Sequence, residues 1–176
     1  YLRSPRTMFS LTTNLVPFLM NVQGNRGATS SRMLTQALPL DEKEPPLVRT
    51  YRDSQSTYED LIGGFLNPTS PVDGTISKID KNYIYIKEDK TNRTHKIGLY
   101  NDFPLNQDGY LNSTVLVKEG QKIKKGDILT ENNYSTGKVL SLGKNLRVAY
   151  LSYKGKNFED GIVISESAAN KLSHTM

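Results

Sequence analysis

PVDGTISKIDKNYIYIKED, residues 71–89, is the stretch in which the pattern of the chain turns to period 2. Within it, VDGTISKI and NYIYIKED are short segments rich in β-branched and aromatic residues, which suit a pleated, half-buried surface. The pattern continues toward the C-terminus in STVLV, QKI, GDILT, GKVLSL, NLRVAYLSY and DGIVISES. Gly, Asn and Asp turns separate these segments at roughly 8–12-residue spacing, which predicts an all-β barrel or sandwich. PVDGTISKI and STGKVLSLG each place Gly ahead of an alternating strand, but turn glycines account for that likeness and no internal repeat follows.

Toward the N-terminus the signals become helical or broken. YLRSPRTMFSLTTNLVPFL, residues 1–19, contains Ser-Pro and Val-Pro breaks and predicts short strands or single helical turns. GNRGATSSRMLTQAL, residues 24–38, holds Arg26, Arg32, Met33, Leu34 and Leu38 at near-helical spacing before Pro39, predicting a short polar helix. DEKEPPLV is a charged, proline-containing linker. TYEDLIGGF, residues 57–65, predicts two helical turns ended by Gly63 and Gly64. The chain divides into residues 1–45, 46–70 and 71–176.

With 176 residues the chain is long enough for one domain with a sizeable core. It begins at Tyr1 and stops at Met176 directly after an apolar pattern, as expected of a piece of something longer. A net charge of +5 and a pI near 9.3 lean toward polyanionic partners. The absence of Cys excludes disulfides, zinc ribbons and thiol chemistry. His95 and His174, the only histidines, cannot build a multi-histidine metal site and read as surface imidazoles. No apolar run approaches the ~18 residues that span a bilayer, and no signal-peptide pattern opens the chain.

Three groups of residues are candidates for chemistry, each with a plainer reading beside it. Arg26, Arg32 and Gln36 project polar groups from one helical segment; a guanidinium forks two hydrogen bonds onto phosphate, or the helix simply has a solvated face. Lys122, Lys124 and Lys125 flank the Gly126-Asp127 turn, either as a phosphate-facing patch or as a charged strand edge that discourages aggregation. In GKNFEDGIVIS, residues 155–165, Asp160-Gly161 between apolar runs is a hairpin signal. A turn does not require Glu159 beside it, so a carboxylate pair aimed at Mg²⁺ or at solvent stays open. Walker, dinucleotide-binding, nucleophile-elbow and zinc-protease motifs are all missing.

Taken in order, these segments resemble the β subunit of bacterial-type multisubunit DNA-dependent RNA polymerases. SPRTMFSLTTNLVPFL is similar to the segment leading into that family's IPFL signature. NRGATSSRMLTQALPL is similar to its helix of the form NRALMGxNMQRQAVPL, and LGKNLRVAYLSYKGKNFEDGIVISE to its LGxNxxVAxxxWxGYNFEDxIxxSE. Between these anchors, VDGTISKIDKNYIYIK and VKEGQKIKKGDIL follow the family's G-x-V and G-x-x-V-x-x-G-D-x-L patterns. The resemblance spans nearly the whole chain.

It implies a mainly β fold with short helices: a partial double-psi β-barrel or sandwich-barrel-like core, preceded by a helical hybrid-contacting segment. Residues 1–45 would contact hybrid and nucleotide, 46–70 would link, and 71–176 would supply a barrel portion completed by other residues. Carried over residue by residue, Arg26 falls on the arginine that contacts the nucleotide triphosphate. Asn25, Arg32 and Gln36 fall on the face toward the RNA–DNA hybrid, and Glu159 and Asp160 on the carboxylate pair beside the second Mg²⁺. That pair would act through the ion's water, the ion being held mainly by a β′-type subunit.

The partners implied are the β′-type subunit, the remainder of β, α-type or assembly subunits, a promoter-specificity factor, template DNA, transcript and NTPs. A cytoplasmic location in a bacterial or phage-infected cell, or an organellar stroma, would follow. Departures from the pattern point to a divergent polymerase, phage or organellar. MNVQG at residues 20–24 replaces an acidic stretch, Thr35 an arginine, Arg32 an asparagine and Tyr153 a tryptophan. Two rival readings are a non-catalytic polymerase-derived scaffold and a biotinyl- or lipoyl-like carrier module. The carrier's half-motifs would here be about 40 residues apart, longer than an ordinary hairpin connection.

Overall fold

In a computed structural model, residues 5–105 and 109–174 are described; residues 1–4 of the N-terminal segment lie outside them. The fold is mainly β with short helices, as the pattern predicted, and its strands form small antiparallel sheets around a partial barrel-like core that does not close among the described residues.

The opening stretch builds the largest sheet. β1 (Gly74–Ile79) pairs antiparallel with β2 (Tyr83–Glu88), which pairs with β3 (Thr94–Gly98). The period-2 pattern works as written: Ile84 and Ile86 point inward while Tyr83, Tyr85 and Lys87 alternate outward. Ile76 pairs with Ile86, and a bulge between Ile76 and Lys78 shifts the register. The other edge of β1 takes β7 (Lys122–Ile123), giving the order β3-β2-β1-β7. Ile76, Ile84, Ile86, Val117, Ile123 and Leu129 form the first core. Burying each such aliphatic side chain contributes about 1.5–3 kcal/mol.

Two-stranded pairings fill in the rest. β4 (Phe103–Pro104) pairs with β5 (Tyr110–Leu111), β6 (Ser113–Val115) with β8 (Thr130–Asn132), and β9 (Ser135–Thr136) with β10 (Val139–Leu140). A second core of Leu15, Leu111, Tyr134 and Leu140, with Leu34, Ile62 and Leu66 against it, joins the helices to this β region. Between the sheets lies a buried polar knot. Asn132 Nδ2 donates to Asn67 Oδ1 at 2.6 Å, while Asn67 Nδ2 donates to Ser135 Oγ at 2.7 Å and to the Gly137 carbonyl at 2.6 Å. Asn67, Asn132 and Ser135 are all buried, so these bonds replace water that cannot reach them.

The helices are short. Residues 5–21 form single turns, a 3₁₀ turn at Pro5–Met8, α1 (Leu11–Asn14) and a 3₁₀ turn at Leu19–Asn21, consistent with the Pro breaks. α2 (Gly24–Thr35) matches the predicted polar helix but ends three residues before the predicted Leu38, with Gln36 as its C-cap. α3 (Tyr58–Leu66) starts at the predicted place but corrects the predicted end: it runs through Gly63 and Gly64. A capping box between Thr57 and Asp60 secures its start, and Ile62 and Leu66 anchor it to the second core, outweighing the helix cost of two glycines. At Gly63 a Cβ would overlap the Lys138 carbonyl, so glycine admits β10 to the helix surface.

NLRVAYLSY and DGIVISES were expected as strands and are not. Residues 146–165 carry no strand, Tyr150 is 99% exposed and Ile162 85% exposed. An alternating pattern gives a segment the capacity to be a strand; its ladder bonds must come from a neighbour, and no described segment pairs with it. Ser165 instead caps a helix missed in the sequence, α4 (Glu166–Lys171).

Candidate functional site

α2 is seated by one face. Gly27 packs beneath Leu19, Ser31 Oγ bonds the Thr12 and Thr13 hydroxyls of α1 at 2.8 and 3.1 Å, and Leu34 enters the second core. At about 100° per residue, that seating directs the candidate residues onto two other ridges. Asn25, Arg32 and Gln36, at spacings of seven and four, lie along one ridge. Arg26 and Met33 lie along the next, about 100° around the helix. All five are exposed. Neither Arg26 nor Arg32 makes a side-chain hydrogen bond or ion pair with a described residue. Gln36 sits at the C-cap, where the helix has already ended.

The acidic pair occupies a separate exposed loop, and its geometry corrects the predicted hairpin. The turn with two left-handed central residues is Lys154-Gly155, with φ of 52° and 69°, closed by the Lys156 N–H donating to the Tyr153 carbonyl at 2.9 Å. Asp160-Gly161 ends a second turn, in which the Gly161 N–H donates to the Phe158 carbonyl at 3.0 Å and Glu159 carries the positive φ, 52°. Gly161 is needed there for closeness, since a Cβ would come within 3.0–3.1 Å of the Lys156 carbonyl and Asn157 Cα. Asn157 folds the loop back on itself, accepting from the Tyr153 N–H at 2.9 Å and donating to the Leu151 carbonyl at 2.5 Å. Sequence reading passed over Asn157, because an Asn before Phe-Glu-Asp-Gly signals only a turn.

Glu159 and Asp160 are exposed and have no side-chain partner among the described residues. Carboxylate oxygens suit Mg²⁺ in kind, but not here in number. No group of three or more His, Cys, Asp or Glu able to hold a metal occurs among the described residues. No hydrogen bond or ion pair among described residues joins this loop to α2.

The base of the loop is tied down elsewhere. Glu44 accepts from Lys144 Nζ at 2.9 Å and from the Asn145 backbone and side-chain amides at 3.3 and 3.2 Å, while the Glu44 N–H donates to the Gly143 carbonyl at 2.8 Å. The Lys144 ammonium and the Asn145 amides hold the Glu44 carboxyl down at about 2, and Glu44 raises Lys144 in return. Glu42 adds a second carboxylate 3.4 Å from the ammonium. The other lysine group proves local: Gly126, at φ 90°, turns the chain, and Asp127 Oδ2 accepts the Lys124 N–H at 2.8 Å, leaving the ammonium groups of Lys122, Lys124 and Lys125 in solvent. His95 meets Glu88 at 3.4 Å on the sheet edge, away from both candidate groups.

Residues 69–175 match the family described as RNA polymerase Rpb2, domain 6. The chain is similar to the DNA-directed RNA polymerase subunit beta of Prochlorococcus marinus, 37% identical over 164 residues that cover 93% of this chain and 14% of that protein. Against the subunit beta of Synechococcus elongatus it is 37% identical over 163 residues, with the same coverage. Against that of Thermus thermophilus it is 34% identical over 172 residues, 98% of this chain and 15% of that protein. The chain thus spans about one-seventh of the length of these relatives. Its carrier-like half-motifs do meet, as β1 and β7 of one sheet, which accounts for that lesser resemblance. No helix among the described residues is long and apolar enough to cross a membrane. The chain belongs to the DNA-directed RNA polymerase β-subunit family, and its residues 69–175 are the Rpb2 domain 6 portion of it.

Proposed function

We propose that this chain is part of the catalytic core of a multisubunit DNA-directed RNA polymerase and serves template-directed nucleotidyl transfer once assembled with a β′-type subunit and the rest of β. The observation that carries the reading is the presence, in one chain of this family, of two separate exposed groups of opposite charge without side-chain partners among the described residues: Arg26 on α2 and Glu159-Asp160 on the 151–161 loop.

In nucleotidyl transfer the transcript's 3′-oxygen forms a bond to the α-phosphorus as the bond to pyrophosphate breaks. Negative charge builds on the leaving oxygens. Arg26, which no carboxylate among the described residues neutralises, would place a planar pair of donors against the triphosphate. The neighbouring ridge of Asn25, Arg32 and Gln36 offers amide and guanidinium groups to the hybrid's backbone and base edges. Mg²⁺ supplies electrostatic stabilisation of the transferred phosphate when bound. Glu159 and Asp160 would accept hydrogen bonds from its water shell, orienting an ion whose direct ligands come from a β′-type subunit.

The test uses polymerase assembled with the full-length β subunit. Changing Glu159 and Asp160 together to Ala should slow extension and pyrophosphorolysis at limiting Mg²⁺ and raise the Mg²⁺ concentration for half-maximal rate. An unaltered metal dependence would return the pair to a turn.

A further inference from the structure

We infer that Asn157 is the positioning residue of the Glu159-Asp160 pair, an assignment that rests on the role proposed above for those carboxylates. Between Asn145 and Ser167 every residue is exposed except Asn157, which is half-buried. Its side-chain amide is bonded at both ends. One end accepts the Tyr153 N–H at 2.9 Å and the other donates to the Leu151 carbonyl at 2.5 Å. An amide that satisfies one backbone donor and one backbone acceptor two residues apart acts as a clip, replacing the strand partner this segment lacks.

The clip fixes where the carboxylates point. Two residues beyond Asn157 the backbone of Glu159 is left-handed at φ 52°, a conformation that a β-carbon disfavours and that persists only where neighbours determine it. Among them are the clip at Asn157 and the turn at Gly161, folded so close that a Cβ there would come within 3.1 Å of the Asn157 Cα. Among the described residues the Glu159 and Asp160 side chains make no hydrogen bond or ion pair. Their direction is inherited from the loop.

Four variants of full-length β, assembled into polymerase, test this: Asn157→Ala, Asn157→Asp, the Glu159→Ala/Asp160→Ala pair, and the pair combined with Asn157→Ala. The readout is the rate of single-nucleotide addition against Mg²⁺ concentration. Asn157→Ala should slow addition on the order of tenfold at limiting Mg²⁺, with the nucleotide KM unchanged. Asn157→Asp keeps the acceptor for Tyr153 and loses the donor to Leu151, so it should fall between wild type and Asn157→Ala, and it carries the comparison should Asn157→Ala fail to assemble. The triple variant should be no slower than the pair variant, because the clip acts through those carboxylates. Amide exchange at Tyr153 in the assembled enzyme should quicken in Asn157→Ala.

An additional loss in the triple variant, or unchanged exchange at Tyr153, overturns the positioning role. So does full activity in Asn157→Ala while the pair variant shifts, which leaves the pair's own role standing. A pair variant with unshifted metal dependence overturns both.

Discussion

Lys144 and Glu44, a hundred positions apart, form a 2.9 Å ion pair in which the lysine side chain is only 8% exposed. The contact staples the segment before α3 to the stretch that leads into the Asn157 loop. Because the carboxyl is held at about 2 against an ordinary 4.5, the folded chain binds fewer protons than the unfolded chain between those values. The contribution is complete above about pH 4.5 and fades as pH falls toward 2. Urea midpoints of the 176-residue chain should therefore fall across that window, and Glu44→Gln should lower the midpoint at pH 7 while flattening the acid-side slope.

The buried knot should be costly to open. Asn67→Ala leaves the buried Asn132 Nδ2 and the half-buried Gly137 carbonyl without their partner. We expect a loss of about 2–6 kcal/mol in urea unfolding, from two stranded polar groups at roughly 1–3 kcal/mol each. A loss below about 1 kcal/mol would mean that water enters the knot.

Gly63 and Gly64 should respond oppositely to the same substitution. Nothing lies within 4 Å of a Cβ at Gly64, so Gly64→Ala should stabilise α3 by about 0.5–1 kcal/mol. At Gly63 the new methyl meets the Lys138 backbone, which cannot swing aside as a side chain would, so Gly63→Ala should lower the urea midpoint.

The two ridges of α2 should separate kinetically in the assembled enzyme. Arg26→Ala should raise the apparent nucleotide KM by about tenfold or more, the worth of a charge-assisted hydrogen bond. Arg32→Ala, on the other ridge, should leave that KM near wild type and instead make complexes dissociate faster at low salt, with a shallower dependence on salt. If both variants changed KM equally, the ridges would not read separate ligands.

Much of the fold was legible because local rules sufficed. Alternation over residues 72–88 puts Ile76, Ile84 and Ile86 on one face whatever surrounds them, and Pro39 forbids α2 from continuing. The end of α3 was misread because a glycine's helix cost is about 1 kcal/mol, small beside a capping box and two core contacts. The hairpin at Asp160-Gly161 was misread because local preference ranks Asp-Gly above Lys-Gly, whereas Asn157 and the close approach at Gly161 put the left-handed pair at Lys154-Gly155.

By itself the sequence determined which segments can be strands, which face of each is apolar, and which charged residues fall within the family's motifs, since these depend on residue type and spacing alone. Only the tertiary structure decided which strand-capable segments found partners, which ridge of α2 stays free, and how Glu159 and Asp160 are carried. The first two depend on hydrogen bonds and packing supplied by residues distant in the chain, of which spacing carries no record; the third depends on a side-chain clip within the loop, which residue type alone does not signal.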